Sequence, residues 1–221
     1  MPSPTAEQVL DTIRIGGVIA IVRLADLSAA VPLSHALLSG GVTALEFTLT
    51  NPEALKVMPE VKAAIPELAK GQAVIGMGTV LDADMARASI EAGAQFVVSP
   101  TTDFDTIEIC RRLDMTVIPG ALTPTEILKA WKAGATAVKV FPARSVSPAY
   151  VKDVREPLPF LRLIPTGGID LENAGAYIRH GAFAVGVGGN LVDKRLIAAG
   201  DRNALTAKAA AYVQAVRLAR G

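Results

Sequence analysis

Eight short apolar runs alternate with amphipathic stretches along the chain, and this alternation limits the possible folds more than any other feature. The runs are rich in β-branched residues and recur at steps of about 20–25 residues. Continuous apolar runs indicate strands that are covered on both faces, as in parallel sheets with helical crossovers. The predicted strands cover residues 18–22, 44–48, 73–77, 96–99, 116–119, 137–141, 162–165 and 183–187.

Helix-like stretches follow the runs and complete a series of βα units. They cover residues 27–39, 52–65, 83–92, 104–113, 124–134, 147–156, 171–180 and 202–219. The simplest architecture is one α/β domain over residues 1–221, folded as a single (β/α)8 TIM barrel. Residues 1–15 predict an additional N-terminal helix that covers one end of the barrel. An open doubly wound sheet is the alternative, but the first run lacks the Gly-rich turn that such a sheet requires.

Composition and charge exclude several classes of protein. The formal net charge is +1 and no segment is dominated by Lys and Arg, so we expect no nucleic-acid partner. No apolar stretch is long enough to span a bilayer and no signal peptide is evident, so we expect a soluble cytoplasmic protein. The single cysteine, Cys110, fits a reducing compartment and a packing role. No spacing resembles a metal site, and no metal or other cofactor is expected.

Two charged residues lie inside runs that otherwise predict buried strands. Glu46 falls in the second run and Lys139 in the sixth. Side chains alternate between the two faces of a strand, and the bulky aliphatic residues of both runs share the face opposite to these charges. If that aliphatic face meets the helices, Glu46 and Lys139 both face the barrel interior, from strands on opposite sides of the ring.

A lysine in an apolar interior can serve as a nucleophile. Burial disfavours the charged amine, and a neutral amine can attack a carbonyl carbon to form a Schiff base. This requires the pKa of Lys139 to fall from an ordinary value of about 10.4 towards neutrality. Glu46 would then transfer protons, directly or through water. A structural buried ion pair is the alternative interpretation.

Glycine turns at the ends of the last two strands indicate an anion site. The segment "PTGGID" (165–170) follows the seventh run and "GVGGNLV" (186–192) contains the end of the eighth. In barrels these two loops often hold a phosphate through backbone N–H groups; tight turns without a ligand are the alternative. Arg23 ends the first run on the same rim, where it could bind a carboxylate or form a surface ion pair. His35 and His180 lie in helical segments away from this rim.

Several of these segments occur together in the order seen in one enzyme family. Glu46 in "LEFT", "GMGTVL", "FVVSP", "IPGALTPTE", "KVFPA", "PTGGI" and "GVGGNLV" resemble the KDPG/KHG aldolase family over about residues 10–218. These class I aldolases act on 2-keto-3-deoxy-6-phosphogluconate (KDPG) or 4-hydroxy-2-oxoglutarate (KHG). The resemblance implies a homotrimeric (β/α)8 barrel that cleaves its substrate reversibly and without metal. The products would be pyruvate and, from KDPG, glyceraldehyde 3-phosphate.

The resemblance also implies roles for individual residues. Lys139 matches the Schiff-base lysine of the family and Glu46 its proton-transfer glutamate. The residues that match those near the pyruvyl group are Thr79, Pro100 and Phe141. The residues that match the phosphate loops are Thr166, Gly167, Gly168, Gly188 and Gly189.

Two positions depart from one branch of the family. Thr50 stands where that branch has an arginine, and Asn190 stands where it has a serine. Relatives that lack the arginine have one at the end of the first strand, so Arg23 is predicted to bind the substrate carboxylate. Thr50 remains in the predicted substrate site, and Asn190 is predicted to donate a hydrogen bond to the phosphate.

Several functions stay open at this point. The substrate could be KDPG, its 6-phosphogalactonate epimer or unphosphorylated KHG. A phosphosugar-binding barrel without lyase activity would use the glycine loops but form no imine. A phosphosugar isomerase could use a glutamate base and the same loops, but it would not need a lysine in the interior.

Overall fold

The apolar runs form strands close to their predicted positions in the computed structural model, which describes residues 4–221. Pro119 interrupts the fifth run, because proline has no N–H to donate to a ladder, and the run continues as a separate short strand. The strands are β1 (Val18–Val22), β2 (Ala44–Thr48), β3 (Val74–Gly78), β4 (Phe96–Val98), β5 (Thr116–Ile118), β6 (Gly120–Ala121), β7 (Val138–Val140), β8 (Leu163–Pro165) and β9 (Val185–Val187).

Several helices begin at a residue whose side chain accepts a hydrogen bond from an N–H of the first turn. Thr5 and Thr123 each form a reciprocal capping box with the residue three positions later, Gln8 and Glu126. The helices are α1 (Ala6–Gly16), α2 (Ala30–Ser39), α3 (Ala54–Ala64), α4 (Pro66–Ala69), α5 (Ala83–Glu91), α6 (Phe104–Arg112), α7 (Pro124–Lys132), α8 (Pro148–Arg155), α9 (Ala174–Arg179), α10 (Lys194–Ala198) and α11 (Arg202–Arg220), with a 3₁₀ turn at Ala143–Ser145.

All strand pairs are parallel, and the ladders form two sheets. One sheet has six strands in the order β5-β4-β3-β2-β1-β9, and the other has three strands in the order β6-β7-β8. Between the sheets, a single bridge pairs Thr166 with Gly186, and the Phe183 N–H donates to the Leu163 carbonyl over 2.8 Å. The chain therefore has an α/β fold with a curled parallel sheet. The expected single eight-stranded ring is not present as one continuous ladder, since Pro119 divides the fifth strand and β8 meets β9 at only one bridge.

Alternation along the strands separates two apolar clusters. The outer cluster packs the strands against the helices and includes the predicted outward residues, among them Phe47 and Val140. The inner cluster fills the sheet interior, where Phe96 is its largest side chain. Helix α1 inserts Leu10 and Ile13 into this inner cluster, so it closes one end of the interior as expected. Residues 1–3 of the predicted leading helix lie outside the described residues.

The remaining reactive side chains lie away from the strand ends. Cys110 is fully buried in α6, and burial raises the pKa of its thiol to about 12, which fits packing and not nucleophilic chemistry. His35 is an exposed residue of α2, and His180 caps the end of α9. Within residues 4–221, no three or more His, Cys, Asp or Glu side chains are grouped to hold a metal ion. The helices of the described chain are all too short or too polar to cross a membrane.

Candidate active site

Lys139 lies at the centre of β7 with its side chain inside the curled sheet. Its side chain is 3% exposed, and its Nζ lies 5.0 Å from the centroid of the Phe141 ring. Burial lowers the pKa of the amine below its ordinary value, the nearby Glu46 opposes this change, and Arg23 adds to it. The environment therefore favours the neutral amine, which is the form that attacks a carbonyl carbon.

Glu46 lies at the centre of β2 and faces the same interior. It is 2% exposed, and its Oε1 atom has no hydrogen-bond partner in the protein. Burial raises the pKa of the carboxyl, while Lys139 and Arg23 act to lower it. The two groups influence each other's charge but make no direct ion pair in the described chain, so the carboxyl can carry a proton next to a neutral amine.

Gly78 at the end of β3 makes room for this carboxyl. A Cβ atom at this position would overlap Oε1 of Glu46, so only glycine allows the carboxyl its present place. Thr79 follows with a φ of 60°, in the left-handed region that a β-branched residue rarely adopts. Backbone strain of this kind occurs mainly at functional sites.

A cavity of about 550 Å³ opens above Lys139 at the carboxyl ends of the strands. Phe141 lines it, and the centroid of its ring lies 5.0 Å from the lysine amine. The turn after β8 has positive φ at Gly167 and Gly168, 91° and 89°, a conformation that favours glycine. The cavity brings together eight of the predicted site residues, namely Arg23, Phe141, Thr166, Gly167, Gly168, Gly188, Gly189 and Asn190.

The two glycine loops present hydrogen-bond donors to this cavity. In residues 4–221, no protein acceptor takes the backbone N–H of Gly168, Gly188 or Gly189. The Asn190 Nδ2 donates to the Ile169 carbonyl over 2.8 Å, which orients its amide and leaves one N–H available. The Thr166 hydroxyl donates to the Ile164 carbonyl over 3.3 Å and keeps its acceptor lone pairs. Backbone donors in such an arrangement suit an anionic ligand.

Three predicted residues lie at the same end of the sheet but outside this cavity. Pro100 lines a second cavity of about 410 Å³, and Phe141 borders both cavities. Thr50 is exposed, and its hydroxyl lies 2.8 Å from that of Thr48. Thr50 and Thr79 line neither cavity. Thr48, on the interior face of β2, is therefore hydrogen-bonded to Thr50, which stands where one branch of the family has an arginine.

Four residues that line the larger cavity are missing from the sequence-based site, namely Ile21, Pro142, Arg144 and Ile169. Ile21 reaches it from β1, and strand alternation alone could have indicated its inward direction. Arg144 reaches it from the 3₁₀ turn after β7. The signal for Arg144 is its position directly after "KVFPA", although the sequence does not reveal that this turn folds back onto the glycine loop.

Comparison with known proteins agrees with the geometry. The family model of KDPG and KHG aldolases matches residues 9–208. The chain is 32% identical over 213 residues to the 2-dehydro-3-deoxy-phosphogluconate aldolase of Treponema pallidum (strain Nichols), covering 96% of this chain and 98% of that protein. It is 33% identical over 201 residues to the 2-dehydro-3-deoxy-6-phosphogalactonate aldolase of Escherichia coli (strain K12), covering 90% of this chain and 94% of the other.

A solved structure extends the similarity to the fold. The KDPG aldolase from Legionella pneumophila, with pyruvate captured at low pH as a covalent carbinolamine intermediate, matches with a TM-score of 0.83 and 27% identity. The match covers 92% of this chain and 97% of that one. These comparisons confirm the resemblance drawn from the motifs and identify the protein as a carbon–carbon lyase. The chain belongs to the KDPG and KHG aldolase family.

Proposed function

We propose that this class I aldolase cleaves KDPG reversibly to pyruvate and glyceraldehyde 3-phosphate through an imine on Lys139. The observation that carries the proposal is the buried Lys139 amine, whose environment favours its neutral form, facing Glu46 across the interior. A relative that is 32% identical over almost the whole chain is named for this activity.

The reaction begins with attack of the neutral Lys139 amine on the C2 carbonyl carbon. The new N–C bond gives a carbinolamine, and the carbonyl oxygen takes up a proton. Glu46, directly or through a water molecule, delivers a second proton to that oxygen, which leaves as water. The nitrogen lone pair then forms the C=N bond, and the product is a protonated imine.

The imine withdraws electrons and permits cleavage between C3 and C4. Glu46, now ionised, removes the proton of the C4 hydroxyl, and that oxygen forms the aldehyde as the C3–C4 electron pair moves into an enamine. Protonation of the enamine at C3 regenerates an imine. Addition of water to this imine releases pyruvate and the free amine of Lys139, so one difficult cleavage is divided into several easier steps.

The cavity above Phe141 is where we place the rest of the substrate. Arg23 would bind the substrate carboxylate, and its charge already acts on both reacting groups. The glycine loops and Asn190 would hold the phosphate, because they line the cavity and, in residues 4–221, no protein acceptor takes the N–H groups of Gly168, Gly188 and Gly189. We assign supporting contacts with the pyruvyl end to Thr50, Thr79 and Pro100, which lie at the same end of the sheet.

Two related substrates remain candidates within this function. The 6-phosphogalactonate epimer is favoured by the relative from Escherichia coli that is 33% identical. KHG is favoured by a relative from Escherichia coli (strain K12) that is named KHG/KDPG aldolase and is 30% identical over 215 residues. Comparison of kcat/KM for the three purified substrates decides among them, and a preference for either phosphorylated acid over KHG would support the phosphate assignment.

We further propose that the two sheets act as one (β/α)8 barrel in a single domain over residues 1–221. The support is the Thr166–Gly186 bridge on one side and, on the other, the Lys139 N–H, which donates to the Pro119 carbonyl over 2.9 Å.

A homotrimer in the cytoplasm, without a metal, is the assembly that the family resemblance implies. Activity that survives a chelator is the expected result for an imine mechanism.

Trapping the imine tests the proposal. Incubation with pyruvate and sodium borohydride should reduce the imine to a stable amine, detected by intact-mass spectrometry and assigned to Lys139 by peptide mapping. Lys139→Met should remove both the adduct and KDPG cleavage. An adduct on another lysine, or full activity in Lys139→Met, would reject the mechanism.

A further inference from the structure

The cavity above Phe141 holds two arginines and no acidic side chain among its lining residues. Arg23 enters it from the loop after β1, and Arg144 enters from the turn after β7. The second cavity differs, because Glu126 and Lys129 both line it and offset each other's charge. The charge of the larger cavity therefore selects for a ligand with anionic groups.

Arg144 is fixed against the glycine turn by its backbone. Its N–H donates to the Gly167 carbonyl over 2.7 Å. A Cβ atom on Gly168 would lie only 2.7 Å from the Cβ of Arg144, so the turn and the arginine pack in close contact. The guanidinium itself is exposed and makes no hydrogen bond or ion pair with any described residue. It is therefore available to a ligand that sits on the turn.

The two arginines have different surroundings. The charge of Arg23 acts on both Glu46 and Lys139, and Arg144 is not among the charges that act on either group. Arg144 contacts the Gly167–Gly168 turn instead. A substrate with one anionic group next to its ketone and a second at the other end of a short carbon chain suits one arginine with influence on the interior and one on the turn.

The backbone of the glycine turn offers an anionic ligand neutral hydrogen-bond donors but no full positive charge. The next helix, α9, begins only at Ala174 and has 6 residues, so it gives little dipole to an anion at Gly168. Backbone N–H groups are neutral donors, whereas a guanidinium binds a phosphate dianion with two parallel, charge-assisted hydrogen bonds. The cationic residues that line the cavity are Arg23 and Arg144, and of these Arg144 is the one that packs against the turn.

From this arrangement we propose that Arg144 binds the substrate phosphate and determines the preference for phosphorylated over unphosphorylated 2-keto acids. This role rests on the proposed aldolase function and names the residue that supplies charge to its phosphate end. It assigns Arg23 to the carboxylate end, so the two arginines are not interchangeable.

The test measures a ratio, kcat/KM for KDPG divided by kcat/KM for 2-keto-3-deoxygluconate, which lacks the phosphate. Arg144→Ala should lower this ratio by about 10- to 100-fold, the range for a lost charge-assisted hydrogen-bond pair. Arg144→Lys should keep part of the preference, because it keeps the charge and loses the planar fork. The fraction of active enzyme cancels in the ratio, so partial misfolding cannot imitate the effect.

Arg217 provides the matched control. It is an exposed arginine in the last turns of α11 and lines none of the cavities described here. The next arginine of the helix, Arg220, donates to the Ile15 carbonyl at the end of α1, which places this part of α11 near α1. Arg217→Ala removes the same charge and should leave the ratio unchanged. An unchanged ratio in Arg144→Ala, or an equal fall in Arg217→Ala, would overturn the proposal.

A binding measurement separates this proposal from the aldolase mechanism. Inorganic phosphate should bind to the wild-type protein in a calorimetric titration, and Arg144→Ala should weaken that binding about 10-fold or more. If wild type forms no pyruvate adduct, the mechanism fails, while the titration still decides the role of Arg144. If the adduct forms and phosphate binds Arg144→Ala as tightly as wild type, only the role of Arg144 fails.

Discussion

At the scale of single residues, the interior of the sheet sets the chemistry of Lys139 and Glu46. Both side chains are almost fully buried, and burial drives each of them towards its neutral form. A neutral amine next to a protonated carboxyl is the pair that imine formation needs. The positive charge of Arg23 lowers the pKa of both groups. It therefore favours the neutral amine of Lys139 but the ionised carboxylate of Glu46.

The pH dependence of imine formation follows from these shifts. Only the neutral amine attacks, so the rate of trapping with pyruvate should rise with pH over a range below 10.5, the ordinary pKa of lysine. It should fall at higher pH, once the neutral fraction of the amine no longer increases and the Glu46 carboxyl has lost the proton that the loss of water needs. Arg23→Gln removes a charge that lowers the pKa of Lys139, so the rise should move to higher pH. Borohydride quenching across a pH series measures it, with Arg217→Gln as the unshifted control. A wild-type rate that keeps rising to pH 10.5, or no shift in Arg23→Gln, would contradict the argument.

The same shift has a consequence for stability. The unfolded chain holds the Lys139 proton up to about pH 10.5, whereas the folded chain releases it at lower pH. Between the lowered pKa and 10.5 the unfolded state binds more protons, so the contribution of Lys139 to the free energy of unfolding rises with pH in that window. Near neutral pH, the burial of Lys139 therefore lowers the free energy of unfolding.

Residue-level reasoning from the sequence predicted the inward direction of Glu46 and Lys139 and most of the cavity lining, but not every contact around it. Alternation along β2 and β7 is enough to turn Glu46 and Lys139 inward, because a strand allows only two directions for a side chain. Arg144 lies in an irregular turn, where no periodicity gives the direction of a side chain. The contact of Asn190 with the Ile169 carbonyl also needed the structure, since it depends on how two separate loops meet.

At the scale of elements, α1 closes one end of the interior of the curled sheet. Its apolar face inserts Val9, Leu10 and Ile13 between side chains from the strands, and the Thr5 capping box fixes where the helix starts. The helix therefore completes the inner cluster, and its stability is tied to that of the sheet.

Two isoleucines of α1 give a matched test of this closure. Ile13 is 0% exposed and Ile15 is 68% exposed, although both belong to the same helix. Ile13→Ala should lower the free energy of unfolding by about 2–5 kcal/mol, because it removes buried methyl groups and leaves a cavity. Ile15→Ala should change it by less than about 0.5 kcal/mol. Chemical denaturation measures both, and equal effects would show that α1 does not seal the interior.

Sequence patterns predicted the longer elements well and the short ones poorly. The strands β1 and β2 have the predicted bounds. The short helices α4 and α10 have 4 and 5 residues, too few to express a helical period. Helix α9 starts at Ala174 and not at residue 171, because the Asp170 carboxylate accepts from the Glu172 and Asn173 N–H groups and holds a turn there.

At the scale of the whole molecule, the two sheets depend on a narrow seam. Thr166 and Gly186 pair there, and a Cβ atom on Gly186 would overlap the Thr166 hydroxyl. The predicted eight-stranded ring makes β8 and β9 neighbours, but the sequence does not reveal that they meet at one bridge, because that contact is set by close approach at one glycine.

Substitution at the seam tests whether the sheets act together. Gly186→Ala should lower the free energy of unfolding by about 1–3 kcal/mol, the usual cost of overpacking. Gly189→Ala is the control, since a Cβ there would meet nothing within 4 Å, and its stability should be at or above that of wild type. Amide exchange in β7 and β8 should accelerate in Gly186→Ala, and unchanged exchange would mean that the small sheet is held independently.

Helix α1 closes the end of the interior at the first residues of the strands, where it contacts Thr43 and Thr116. The cavity with the glycine loops lies at the opposite, carboxyl ends of the strands. In the proposed mechanism the pyruvyl carbons stay bonded to Lys139 when the C3–C4 bond breaks, so we expect the aldehyde to leave first in cleavage and pyruvate to bind first in the synthetic direction. The covalent bond sets this order, and because α1 lies across the other end we expect both fragments to pass on the side of the glycine loops.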